Sequence, residues 1–330
     1  MGKRTIIFRA DGNESIGMGH FIRTLALAEM LNQDFHCIFA TKTPSQYQID
    51  EIEKVCHKRI DLPTDKTHFT KFLDLLNGDE IVVLDNYYFT TQYQHEIKNK
   101  GCRLVCIDDL HDEHFVADII INHAEGISSE DYSVEPYSQL LLGYNYALLR
   151  KEYLEEDINL DNKKYSYFLM MGGADPHNLT HHILNILELK ETKLPIAVVV
   201  GSGYKENSSL SKFCNVALFK SITSAQVFRL MLQSQFGILP ASTVAIEACA
   251  ARLPFICGYF INNQSEIYNG IKTSNLAVCI GNYLDINEKK LLTAQRKLSE
   301  INTVDTIKIN QRTKLDKKSK ERFLKVFHSL

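Results

Sequence analysis

Residues 4–31 read RTIIFRADGNESIGMGHFIRTLALAEML. A β-branched run, TIIFRA (5–10), leads through a turn carrying Gly17 and Gly19 into a stretch over 18–32 whose apolar residues recur at helical spacing. A strand handed over to a helix through glycines is the first step of an α/β domain. The step recurs, with HCIFA (36–40), EIVVLD (80–85), CRLVCID (102–108) and DIIIN (118–122) alternating with helical stretches. Such alternation predicts a parallel sheet covered by helices.

After LLLGYNYALLR the chain turns polar at KEYLEEDINLDNKK (151–164), and the alternation then restarts. YFLMMGG (167–173), a helix opened near PHNLTHHILNIL, PIAVVVGSG (195–203), VALFK (216–220), FGIL (236–239), a helix at 242–252 and PFICGY (254–259) follow in order. The pattern predicts two doubly wound, Rossmann-like domains, 1–150 and 165–330, joined by a linker at 151–164. Domains of this kind take ligands beyond the carboxyl ends of their strands, and two that face each other form a cleft. From about residue 285 the chain reads as helical. It becomes lysine-rich at RTKLDKKSKERFLK, a pattern expected of a solvated helix face.

Composition narrows the function. The 330 residues hold 37 basic and 40 acidic side chains, a net charge of −3, which gives no electrostatic reason to expect nucleic acid or an anionic membrane as partner. The eight cysteines are scattered, mostly in apolar runs, and none has zinc-type spacing, so reduced core thiols in a cytoplasmic protein are expected. No apolar run reaches the roughly 18 residues needed to span a bilayer. A small-molecule ligand is the expectation, with no metal.

Gly17 and Gly19 fit a dinucleotide fingerprint incompletely, because Ile22 stands where the third glycine belongs, and the chain has no G-K-[S/T] phosphate loop. NAD and ATP lose their main support. The glycines still allow a ligand to approach backbone N–H groups at a helix start. His20 falls in that helix's first turn, where the dipole favours the neutral ring and a bound diphosphate would oppose it. Locally, a structural and a catalytic His20 remain open.

In FGILPASTVAIEACAARLPFICGY (236–259) Ser242 is an N-cap candidate, and Thr243 and Glu247 lie one helical turn apart. Glu247 is the sole acid of an otherwise small and apolar helix, which suits either a ribose-hydroxyl acceptor or a solvent-facing edge. GGADPHN (172–178) brings Gly172 and Gly173 to another strand end, as an anion site, with Asp175 or Asn178 as helix cap. Asp85, Asn86 and Tyr87 follow one strand, and Asp108 and Asp109 another. Their alternatives are a ligand site, helix capping or a salt bridge.

Together, RADGNESIGMGHFIRTLALAEML, VVLDNYY, CIDDL, LLLGYNYALLRKEY, FLMMGGADPHN and ASTVAIEACAARLPF followed by NNQ (262–264) resemble the UDP-sugar hydrolases of the pseudaminic acid pathway. That family is related to the nucleotide-sugar glycosyltransferases of B-type fold. The resemblance spans residues 4 to about 270. It implies metal-independent, cofactor-free hydrolysis of a UDP-linked 2,4-diacetamido-2,4,6-trideoxyhexose to free sugar and UDP. On the matched positions His20 is the base, with Asp85 and Tyr87 beside it. Arg150, Gly172, Gly173, Ser242, Thr243, Glu247, Asn263 and Gln264 then join Gly17 and Gly19 in binding substrate.

Two departures stand out. Leu239-Pro240-Ala241 replaces the glycine-rich turn usual before S-T, and the segment beyond 285 exceeds the minimal pattern, leaving it free to pack back across the domains or serve assembly. A glycosyltransferase and a non-catalytic nucleotide-sugar binder are the competing readings.

Overall fold

The computed structural model describes all residues except 1, 14–15, 156–157, 159, 161, 189–193, 202 and 205–209. It divides into two compact units, Met1–Lys151 with Lys318–Leu330, and Glu152–Lys317.

In the first unit the chain runs β1 (Thr5–Ala10), α1 (Gly19–Leu31), β2 (His36–Lys42), α2 (Gln46–Val55), β3 (Lys58–Leu62), α3 (Thr67–Leu73), β4 (Ile81–Asp85), α4 (Thr91–Asn99) and β5 (Arg103–Ile107). Then come β6 (His114–Phe115), β7 (Ile119–Asn122), β8 (Ser133–Val134) and β9 (Gln139–Leu142). Seven strands form one sheet in the order β3-β2-β1-β4-β5-β7-β9, every pair parallel, while β6 and β8 pair separately. Alternation along β1 sends Phe8 to the face where Phe39 and Phe21 of α1 pack, at 6.4 and 5.5 Å between successive rings. Ile7 points the other way, into a core with Phe72, Phe89 and Tyr93.

The strand order reverses between β1 and β4, so the first unit has its switch point there. An open α/β sheet forms its ligand crevice at the carboxyl ends flanking such a point. The strand ends Ala10 and Asp85 are register neighbours at that position.

Across α5 (Lys151–Leu154) the chain enters the second unit: β10 (Tyr165–Leu169), α6 (Leu179–Glu188), β11 (Ile196–Val200), β12 (Val216–Lys220), α7 (Ser224–Gln233), β13 (Ser234–Pro240), α8 (Thr243–Ala250), β14 (Phe255–Tyr259), α9 (Ser265–Thr273), β15 (Val278–Asn282), α10 (Glu288–Leu298) and α11 (Ile301–Lys314). Its sheet, β12-β11-β10-β13-β14-β15, is parallel throughout and reverses between β10 and β13. Gly172 follows the first of these strands and Ser242 the second, so the two glycine- and serine-bearing turns flank this unit's switch point.

Five strands are added to those expected: the short pair β6 and β8, and Lys58–Leu62, Gln139–Leu142 and Val278–Asn282. The last three are sheet edges. The strand expected over 167–173 stops at Leu169, and that over 195–203 stops at Val200, which leaves their glycines in loops.

The end of the chain corrects the 165–330 boundary. α12 (Ser319–Ser329) belongs to the first unit, where Phe327 meets Phe35 at 6.3 Å and Phe323 meets Tyr146 at 5.7 Å. Both phenylalanines are fully buried, so one face of the lysine-rich segment is core and only the other is solvated. Among the described residues no helix is long and apolar enough to cross a membrane.

Candidate functional site

His20 lies one residue into α1, whose N-cap, Met18, supplies no side-chain hydrogen bond. Helical periodicity carries Arg23 and Thr24 round to the same face as His20, and all three meet Asp85 at the end of β4. His20 Nδ1 is 2.6 Å from Asp85 Oδ1. Arg23 donates from Nε and Nη2 to the two carboxylate oxygens, each at 2.7 Å, and Thr24 donates its hydroxyl to Oδ2 at 2.8 Å. Asp85 has no solvent exposure and His20 only 4%.

The tautomer follows from the donor inventory. A carboxylate only accepts, so Nδ1 must carry the proton and donate to Asp85. Arg23 Nη2, 3.1 Å from the same nitrogen, therefore makes an approach and not a hydrogen bond. Nε2 is left as the acceptor of the neutral ring. Burial pushes the Asp85 carboxyl up, but Arg23 and then His20 outweigh it and hold the group well below the usual carboxylate range. The carboxylate orients the imidazole and does not take its proton.

Two further residues close the network. Arg23 Nη1 donates to Asp109 Oδ2 at 2.7 Å, and the Tyr87 hydroxyl donates to the same oxygen at 3.3 Å. The Tyr87 ring stands edge-on to His20, with centroids 4.4 Å apart, and is 41% exposed. Asp108 takes a different part. Its Oδ2 accepts from the Leu110 and His111 amides and the Tyr132 hydroxyl, at 3.2, 2.8 and 3.1 Å, so it shapes the turn. Of the paired aspartates, the first holds the turn after β5 and the second is an ion-pair partner.

Gly17 is needed for its backbone, with φ +80°, and nothing lies within 4 Å of where its Cβ would be. Asn86 turns its side-chain oxygen onto the Tyr87 amide at 2.9 Å. A second buried network, unanticipated from sequence, occupies the other face of the same sheet edge. Arg9 and Asp11 pair at 2.6 Å, Tyr88 donates to Asp11, and Lys42 lies 3.4 Å from Asp11 and 3.3 Å from His68. Burial pushes the Asp11 carboxyl up, yet Arg9, Tyr88 and the Lys42 amide bring it down to about 2.

Arg150 is committed to ion pairs. It is 4% exposed and pairs with Glu29 at 2.8 Å and Glu51 at 3.1 Å. Glu29 is nine residues beyond His20 along α1, roughly 13 Å at 1.5 Å per residue. Arg150 ties α1 to α2 at the end away from the base.

In the second unit, Gly172 has φ +84°, and a Cβ on Gly201 would come within 2.5 Å of the Gly173 carbonyl, so the loops after β10 and β11 touch backbone to backbone. Asp175 accepts from the Leu179 and Thr180 amides, each at 2.8 Å. It caps α6, and its negative charge occupies that helix start. Ser242 sits at the N-cap of α8 but makes no side-chain cap bond, so the sequence expectation holds for its position and not for its hydroxyl.

Glu247, one turn after Thr243 in α8, is buried at 8% exposure. Gln264 folds its side-chain oxygen onto the Phe260 amide at 3.0 Å, beside a half-buried Asn263. The Leu239-Pro240-Ala241 departure extends β13. Tyr283 donates to the Leu239 carbonyl at 2.9 Å, and the Ala241 amide donates to Gly258 at 2.7 Å. Among the described residues no group of three or more His, Cys, Asp or Glu side chains is arranged to hold a metal.

No protein-family model matches the chain. It is 28% identical over 271 residues to the UDP-2,4-diacetamido-2,4,6-trideoxy-beta-L-altropyranose hydrolase of Campylobacter jejuni, covering 79% of this chain and 93% of that protein. The two proteins are related. An uncharacterized protein of Methanocaldococcus jannaschii is 27% identical over 280 residues, 78% of this chain and 56% of the archaeal one.

Among solved structures, MurG of Acinetobacter baumannii superposes with a TM-score of 0.67 at 10% identity, covering all of both chains. The S. aureus MnaA-UDP complex gives 0.66 at 13%, covering 97% of this chain and 95% of that one. The calicheamicin glycosyltransferase CalG4 gives 0.59 at 12%, covering 100% and 98%. The fold is therefore the B-type glycosyltransferase fold, with two Rossmann-like domains.

Two predictions follow from these placements. Arg150→Ala takes one cation from the buried Glu51 and the half-buried Glu29, which keep Lys54 and Lys151, and should cost about 1–3 kcal/mol in thermal unfolding, with UDP affinity of the folded protein unchanged by calorimetry. His123, just past β7, is held at about 3 by burial and then by the Arg23 cation. The unfolded chain binds its proton first, so stability is full above about pH 6.5 and lost as pH falls toward 3. His123→Gln should flatten the urea midpoint across that window, leaving the Asp11 loss between about pH 4 and 2 in place.

Proposed function

We propose that the protein hydrolyses a UDP-linked 2,4-diacetamido-2,4,6-trideoxyhexose to the free sugar and UDP, a step toward pseudaminic acid. One observation carries the reading: an imidazole fixed as its Nδ1–H tautomer by a buried carboxylate, at the switch point of the first sheet. Relationship to the Campylobacter hydrolase supports the substrate class.

A water oxygen attacks the anomeric carbon while His20 Nε2 takes its proton. The bond from that carbon to the diphosphate oxygen breaks, and its electron pair leaves with UDP. The imidazolium then releases the proton to solvent, so sugar-UDP and water give sugar, UDP and a proton. Tyr87, exposed beside the ring, supplies a face for the sugar. UDP is a good leaving group, so positioning the water matters more than protonating the diphosphate.

The nucleotide falls to the second unit in this reading. The start of α8 has no side-chain cap, whereas α6 is capped by Asp175, so α8 is the better place for phosphate oxygens. Glu247 accepts from the ribose hydroxyls, with Thr243, Asn263 and Gln264 nearby in sequence or turn. A glycosyltransferase is the second reading, because the solved structures of this fold include one.

Release of UDP with water as the sole acceptor is the deciding assay; UDP appearing only when a sugar acceptor is added would establish the transferase instead. His20→Ala should lower kcat by about 10²–10⁴-fold with UDP affinity retained. Glu247→Ala should weaken UDP binding by about tenfold or more in calorimetry. Full activity of His20→Ala would remove the base.

A further inference from the structure

Asp85 has no acceptor site left to offer. Oδ1 takes His20 and Arg23 Nη2, and Oδ2 takes Arg23 Nε and Thr24. Arg23 in turn has a third edge, Nη1, committed to Asp109. With the ring neutral, Arg23, Asp85 and Asp109 sum to −1; when Nε2 gains a proton the cluster becomes neutral. Without Asp109 the same groups would pass from neutral to +1. The His20, Arg23 and Asp85 side chains are 4, 5 and 0% exposed, so that net cation would be buried.

We propose that Asp109 is the charge-compensating residue of His20 and that Arg23 is its positioning residue. Arg23 fixes the ring tautomer through Asp85, and Asp109 makes the protonated cluster neutral. This rests on His20 as the base and goes beyond it, since the resemblance to the hydrolase family assigns neither residue a role.

The groups that bear on the ring come from four elements. Arg23 lies on α1, Asp85 and Tyr87 at and after the end of β4, Asp109 after β5 and His123 after β7. His123 stays neutral near pH 7, because burial and Arg23 hold it at about 3, and Tyr87 donates its hydroxyl to Asp109. Asp109 and Arg23 are therefore the two groups whose removal changes the local charge in opposite senses; Asp109 does so without touching the Asp85 carboxylate, whereas loss of Arg23 also takes two of its hydrogen bonds.

The test is the titration of the His20 ring followed by 15N NMR, its signals assigned with His20→Gln, alongside kcat/KM against pH for the UDP-sugar. Asp109→Asn should move the ring midpoint and the acid limb of kcat/KM down by about one pH unit and lower plateau kcat by about tenfold. KM should change little, and Asp109→Glu should restore the midpoint. Arg23→Gln should move the same midpoint up. Arg23→Lys keeps the charge but cannot span both carboxylates, so its midpoint stays near wild type while kcat falls.

Opposite shifts are the signature, since loss of structure alone moves both variants together or neither. If Arg23→Gln fails to fold, the Asp109→Asn and Asp109→Glu pair decides. An unmoved or raised midpoint in Asp109→Asn overturns the proposal. Shifts as expected in a protein that hydrolyses no UDP-sugar would uphold this charge arrangement and reject the hydrolase; hydrolysis with an unmoved midpoint would do the reverse.

Discussion

A carboxylate with no exposure to water, Asp85, stands at the end of a central strand, and the chemistry of the first unit is organised around satisfying it. A lone ionised carboxyl cannot be left in such a place. It is held by two donors from Arg23, one from Thr24 and one from His20, all supplied by the first two turns of α1. The position of α1 against β4, the orientation of the imidazole and the direction of its free lone pair are thus consequences of one desolvation constraint. Arg23 adds Asp109, which brings in the end of the next strand.

The second unit repeats the same architecture with different polar groups. Its sheet also reverses order beside the turns at Gly172 and Ser242, but there the buried acids among the described residues, Asp175 and Glu247, stand apart instead of in a charged cluster. Asp175 shows how finely such sites divide. Two helices start near the same sheet edge, and one carries a protein carboxylate at its first amides while the other has no side-chain cap.

Much of this was legible in the residues. Buried parallel strands such as IVVL and FICG announce themselves as continuous apolar runs, and the helix after Gly17 and Gly19 was evident from its spacing. The edge strands Lys58–Leu62, Gln139–Leu142 and Val278–Asn282 were not, because each is only four or five residues long and is cut by polar residues or glycine at its ends. Arg23 carried a signal in its spacing from His20, three residues on, but nothing local shows that its partner lies 62 residues away. Asp108 and Asp109 could not be told apart, since adjacent side chains diverge only once the turn that holds them exists. Arg150, inside a family-like stretch, gave no local sign that it pairs with Glu29 and Glu51, 121 and 99 residues away.

The return of α12 to the first unit has a bearing on synthesis. Phe35 and Tyr146 leave the ribosome long before Phe327 and Phe323, which cover them. At about 5–20 residues per second the gap between Phe35 and Phe327 is roughly 15–60 s. Throughout that interval the nascent first unit shows an uncovered aromatic face beside α1, a surface open to chaperones or to self-association, and it closes only after the whole second unit has been made.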